Sequence, residues 1–237
     1  SQPEIAFLGD SYTLGWGINQ HQTFAALTSA LTGKKALNTS MSSYGTAREI
    51  KWLSKIDTSA VRYVVIQYCK NDIGENEVFN EHNTLPISPP KTYDDARTTY
   101  AWKRKYFPGK YAITILYALA HNTLRHLIKG DSTPYYRSND PVASANEFVK
   151  VLNHTPVNTQ KIKILVIDLN DFNELNNRFL KAVDSVLKKP AYARLANSVQ
   201  TIDLSTALSA DDFYILDAHL KPSGHSIIAR ILASYIK

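Results

Sequence analysis

Hydrophobic positions along the chain follow two alternating rhythms. Short apolar runs occupy Glu4–Leu8, Lys35–Asn38, Val61–Tyr68, Lys161–Asp168 and Val199–Leu204. Their length and their β-branched or aromatic content predict strands, with Val61–Tyr68 (VRYVVIQY) the strongest. Between them, apolar residues recur three and four apart. Phe24, Leu27 and Leu31 predict a helix ending at Gly33, and Ala47–Lys55, Phe172–Leu187 and Ser223–Ile236 predict three more. Strands alternating with helices at this spacing imply βαβ units and a mostly parallel five-stranded sheet. Helices cover both its faces, giving a three-layer α/β/α sandwich. Ligands in such sheets bind beyond the carboxyl ends of the strands, so the chemistry is expected just after them.

From Ile73 to about Asp140 the rhythm breaks. Prolines 86, 89, 90, 108 and 134 accompany a dense aromatic set that includes Tyr93, Tyr100, Trp102, Tyr106, Phe107, Tyr111, Tyr135 and Tyr136. Within it, Ile113, Leu116, Ala120, Leu124 and Leu127 predict a helix over Tyr111–Lys129. The segment reads as an insertion into one 1–237 domain, too short and turn-rich to carry a good core alone. At least one of Tyr93, Tyr100, Trp102 or Tyr106 is expected to line the substrate cleft. The predicted helix, flanked by Arg125, His126 and Lys129, also offers a peripheral membrane contact.

Composition narrows the function classes. At 237 residues and 44% hydrophobic content the chain is long enough to bury a core. Its net charge, 27 − 21 = +6, is spread without a basic run, which disfavours a nucleic-acid partner. Cys69 is the single cysteine, so neither an internal disulfide nor a cysteine metal site can form. His219 and His225 are six apart and would not share a helical face, so no metal is expected. Gly15-Trp16-Gly17 lacks the further glycine and the lysine of phosphate-binding loops, and no cofactor is expected. The chain begins at Ser1 almost directly on a strand. That predicts a removed leader or N-terminal anchor, and an extracytoplasmic location over a cytoplasmic one.

Four blocks carry candidate chemistry, each directly after a strand or near the last helix. Gly9-Asp10-Ser11 places a serine hydroxyl at a strand-to-helix turn, where the helix start favours a developing oxyanion. Asp217-Ala218-His219 supplies a base, and an acceptor to fix its tautomer, from the same loop. His225 is the rival base, ranked lower because it lies inside the last helix. Asn71-Asp72 follows the third strand and offers a carboxamide donor. Asn38–Thr46 follows the second and offers a backbone N–H.

In this order the blocks resemble the SGNH (GDSL-like) hydrolase superfamily across nearly the whole chain outside the insertion. The resemblance implies a flavodoxin-like fold, Ser11 as nucleophile, His219 as base and Asp217 as the carboxylate that orients it. It implies an oxyanion hole of Ser11, Asn71 and the residue at the second-block glycine. That residue is Ser43 here, with Gly45 as the fallback. Two further departures are Cys69, where the third block has glycine, and Asp-x-His in place of Asp-x-x-His. The activity implied is hydrolysis of small acyl esters, acetyl above all, of a carbohydrate or similar polar substrate, small or polymeric. An O-acyltransferase using the same residues is the first alternative, and a non-catalytic carbohydrate-binding module the second. A lipase would require the insertion's helix to act as a lid.

Overall fold

The structure, a computed structural model, describes residues 2–85, 87–117, 120, 140–155, 161–215 and 217–237. Five strands form one parallel sheet in the order β2-β1-β3-β4-β5. The first part of the chain runs β1 (Ile5–Leu8), α1 (Ser11–Leu14), α2 (Phe24–Thr32), β2 (Ala36–Asn38), α3 (Thr46–Leu53), β3 (Tyr63–Tyr68) and α4 (Asp72–His82). The middle part contains α5 (Pro90–Arg104) and α6 (residues 110–117). The last part runs α7 (Pro141–Asn153), β4 (Lys163–Asp168), α8 (Arg178–Leu187), α9 (Ala193–Ala196) and β5 (Val199–Ile202). It ends in the hairpin β6 (Phe213–Tyr214) and β7 (Asp217–Leu220), then α10 (Pro222–Tyr235).

Alternation along the strands divides the core in two, as the period of the pleat requires. Ala6, Leu8, Val64, Ile66, Ile164 and Val166 pack with Ile50 and Leu53 of α3, Phe148 and Leu152 of α7 and Val183 of α8. Ile5, Phe7, Val65, Leu165 and Ile167 pack on the other side with Phe24 of α2 and Ile228 and Leu232 of α10. The three-layer arrangement follows. Both faces are sealed, which is why β1 and β3 read as continuous apolar runs. Gln67 is the one polar residue within β3, and it is buried.

Several boundaries differ from expectation. The helix expected over Phe172–Leu187 begins as a 3₁₀ turn, Phe172–Glu174, and becomes α-helical only at Arg178. Asn176 interrupts it: its Oδ1 accepts the Arg178 N–H at 2.9 Å, an Asx turn competing with the helix. Asp72–His82 belongs to the unit that carries the sheet, with Ile73 fully buried. Its polar residues face α3: Asn76 Oδ1 accepts the Ala47 N–H at 3.0 Å, and Thr46 Oγ1 donates to Asp72 Oδ2 at 2.7 Å.

The described residues between 87 and 120 form a second unit. None of its described side chains is buried, in keeping with a segment too short for its own core. Tyr93, Tyr100, Trp102 and Tyr106 are exposed. The expected helix Tyr111–Lys129 is helical over residues 111–117. Leu124, Leu127, Arg125, His126, Lys129, Tyr135 and Tyr136 lie outside the described residues.

Candidate active site

Ser11 opens α1 immediately after β1. Asp10 caps that helix, its Oδ1 accepting the Tyr12 N–H at 3.0 Å. The turn is tight at Gly9, φ +157°, where a Cβ would lie 2.2 Å from Thr13 Oγ1 and 2.6 Å from Gln67 Oε1. Only glycine fits. Gln67 Oε1 accepts both the Asp10 N–H and the Thr13 hydroxyl at 3.1 Å, pinning the turn to β3. The Ser11 N–H is the first of the helix, with no partner inside it, at the positive end of the peptide dipoles.

The hairpin β6–β7 brings the C-terminal block to this turn. Asp217 and His219 alternate with Ala218 on β7, so their side chains share one face of the strand. His219 Nε2 lies 2.8 Å from Ser11 Oγ, and His219 Nδ1 bonds Asp217 Oδ1. The same oxygen accepts the His219 backbone N–H at 3.1 Å. That imidazole bond, ahead of the backbone bond, holds the Asp217 carboxyl below the usual carboxylate range. With Nδ1–H donated to Asp217, the Nε2 lone pair faces the serine hydroxyl. Asp-x-His is therefore the spacing a strand needs; a third residue would turn the carboxylate to the opposite face. Tyr12 and Trp16 stand beside the imidazole, with ring centroids 5.0 and 6.2 Å from it.

His225 is elsewhere. It is 1% exposed, its Nδ1 accepts the Phe24 N–H at 3.1 Å, and its ring stacks on Phe24 at 5.3 Å. Burial, above all, lowers its pKa to about 4.

The oxyanion candidates lie on the loops after β2 and β3, the neighbours of β1 in the sheet. The Met41 N–H donates to Gly9 O at 3.1 Å, tying the first of these loops to the serine turn. Ser43 has φ +65°, the left-handed region that favours glycine, at the position where the SGNH pattern has glycine. Gly45 caps α3, and its N–H donates to Glu75 Oε2 at 3.3 Å, so the fallback donor is engaged. Asn71 sits at the head of α4, half-buried. The segment before it is held by Asn170 Oδ1, which accepts the Lys70 N–H at 2.9 Å.

Sequence reasoning misses the supports. Gln67 could have been found as the lone amide in an apolar strand. Glu75 ion-pairs Arg48 at 2.8 Å while holding Gly45, and its only trace is the spacing of Asp72, Glu75 and Asn76 on one helical face.

No family model and no curated protein sequence matches the chain. Solved structures do. A member of the lipolytic G-D-S-L family from Veillonella parvula superposes with TM-score 0.53 at 14% identity, covering 98% of this chain and 97% of that one. A lipase from a goat rumen metagenome gives 0.51 at 11% identity, covering 98% and 97%. A carbohydrate esterase family 2 enzyme with a carbohydrate-binding domain, from Corynascus thermopiles (Myceliophthora fergusii), gives 0.54 at 13%, covering 100% and 66%. The chain has the fold of the SGNH hydrolases.

Proposed function

We propose that the chain is a serine ester hydrolase acting on small acyl esters, acetyl above all, carried by a carbohydrate or similar polar alcohol. One observation carries this reading: Ser11 Oγ, His219 Nε2 and Asp217 Oδ1 form an unbroken series of contacts at the carboxyl edge of the sheet. A serine hydroxyl becomes nucleophilic when a neutral imidazole takes its proton, and a carboxylate on the far nitrogen stabilises the resulting imidazolium.

The steps follow from that geometry. Ser11 Oγ attacks the ester carbonyl as its proton moves to His219 Nε2, and the carbonyl oxygen takes the negative charge. Donors for that charge are the N–H of Ser11, the N–H of Ser43 and the Asn71 carboxamide. The carbon–oxygen bond to the alcohol then breaks, and the alcohol leaves with the proton from Nε2. Water attacks the acyl-serine, giving one proton to Nε2, and the carboxylic acid departs as Ser11 recovers that proton. In an acyltransferase a second alcohol would take the place of water.

The test is hydrolysis of p-nitrophenyl acetate, butyrate and octanoate by the wild type and Ser11→Ala, with labelling by a fluorophosphonate probe. The reading expects acetate to be preferred, and both turnover and labelling to vanish in the variant. Labelling that survives Ser11→Ala would overturn it, and a preference for octanoate would move the substrate to long acyl chains.

A further inference from the structure

Trp16 and Gly17 form one wall of a groove beside His219. Trp16 is 50% exposed and flanks the imidazole. A cavity of about 530 Å³ runs between it and the hairpin, lined by Trp16, Gly17, Tyr214, Ile215, Asp217 and Lys221. That size falls in the range of small-molecule sites, about 300–1,000 Å³. Gly17, φ +84°, lines it, and a Cβ there would sit 3.6 Å from the Tyr214 ring. The Tyr214 hydroxyl donates to Gly17 O at 3.4 Å, joining the two walls.

Reaction geometry decides which part of an ester this groove receives. The acyl carbon must bond to Ser11, with its oxygen toward the loops after β2 and β3. The leaving oxygen must lie within reach of His219 Nε2 to take the proton. The skeleton attached to that oxygen therefore runs along the imidazole's flank, and Trp16 is the exposed ring there. The lining is also mixed in character. Indole, phenol and the fully exposed Ile215 present apolar surface. Asp217 uses one oxygen for His219 and has a 45% exposed side chain, and the Lys221 ammonium spends one of its donors on Asp211 O at 2.9 Å. An acyl chain has no use for the charged end. A sugar ring uses both, with its C–H face on the aromatic wall and its hydroxyls toward carboxylate and ammonium.

We propose that the Trp16–Tyr214 groove is the subsite for the alcohol half of the substrate and is built for a pyranose ring. This rests on the esterase reading above and deepens it. Trp16 and Tyr214 are then specificity-determining residues.

The test compares kcat/KM for peracetylated methyl glucoside, galactoside and xyloside with kcat/KM for methyl acetate, whose alcohol is too small to reach the groove. The variants are Trp16→Ala and Trp16→Tyr, with circular dichroism to verify folding. The ratio of sugar ester to methyl acetate corrects for any disturbance of His219. Wild type should prefer at least one sugar ester, and Trp16→Ala should lower that preference by about tenfold, carried mainly in KM, with much of it regained in Trp16→Tyr. A preference ratio unchanged in Trp16→Ala, or a wild type that turns over methyl acetate but no sugar ester, overturns the subsite and leaves the esterase standing. A wild type inert toward every ester overturns both.

Discussion

Two histidines six residues apart show how one side chain is put to opposite uses. His219 sits on a two-stranded hairpin, partly open, with a carboxylate on one nitrogen and a serine on the other. His225 sits inside the α2–α10 interface, where its ring fills core space and Nδ1 closes a backbone N–H at the start of α2. The first has a carboxylate and a hydroxyl at its two nitrogens; the second is buried, which lowers its pKa to about 4. Exposure and partners, more than distance along the chain, decide which imidazole can trade protons.

The comparison breaks most decisively through activity. His219→Ala should lower ester turnover by about 10⁴-fold or more, as removal of a serine hydrolase's base does. His225→Ala should act through stability instead, because its removal leaves a hole beside Phe24. If steady-state rates show the reverse, the two assignments are exchanged.

Asp217→Asn is next, with an expected loss of about 10²- to 10⁴-fold in kcat and an unaltered circular dichroism spectrum. The amide can hold the ring in the wrong tautomer and stabilises imidazolium poorly. A variant within twofold of wild type would show that Asp217 does not orient His219.

His225 sharpens the contrast through pH. Its folded pKa lies near 4, below the ordinary 6.5. As pH falls from 6.5 toward 4, the unfolded chain binds a proton that the folded chain refuses, so stability is lost over that window. At about 1.4 kcal/mol per unit the loss reaches about 3 kcal/mol by pH 4. Denaturant titrations of His225→Gln should lack this component and those of His219→Gln should retain it. Equal slopes would mean that His225 is protonated in the fold.

Ser43 belongs to neither region and gives the smallest effect. Its left-handed φ costs of order 1 kcal/mol, so Ser43→Gly should raise Tm by a few degrees, measured by thermal unfolding. A lowered Tm would mean that the hydroxyl supports the loop more than the backbone strains it.

Much of this was legible in the residues alone. The parallel sheet follows from Val61–Tyr68 and its counterparts, because strands buried on both faces read as unbroken apolar runs. The contact series of Ser11, His219 and Asp217 was legible because the chemistry proposed for it demands particular residue types next to strands. α7 was legible in principle: Asp140 caps it, Pro141 is its first residue, and Ala145, Phe148, Val149 and Leu152 recur at helical spacing. α4 was not, because the face it buries includes Asp72 and Asn76, which satisfy α3 by hydrogen bonds and leave no apolar stripe. The hairpin was not legible either. Two residues of β6 carry no periodicity, and only their pairing with β7 makes a strand of either.

The separation of 208 positions from Ser11 to His219 has a consequence for the chain as it is made. Synthesis delivers the proposed nucleophile first and its proposed base 208 positions later. A nascent chain holding β1 through β5 lacks both the proposed base and α10, whose Ile228 and Leu232 seal one face of the sheet. Asp217 and His219 then arrive together on one strand, so the proposed triad is completed in a single docking event. A ribosome-stalled chain ending before Phe213 should leave a fluorophosphonate probe unreacted.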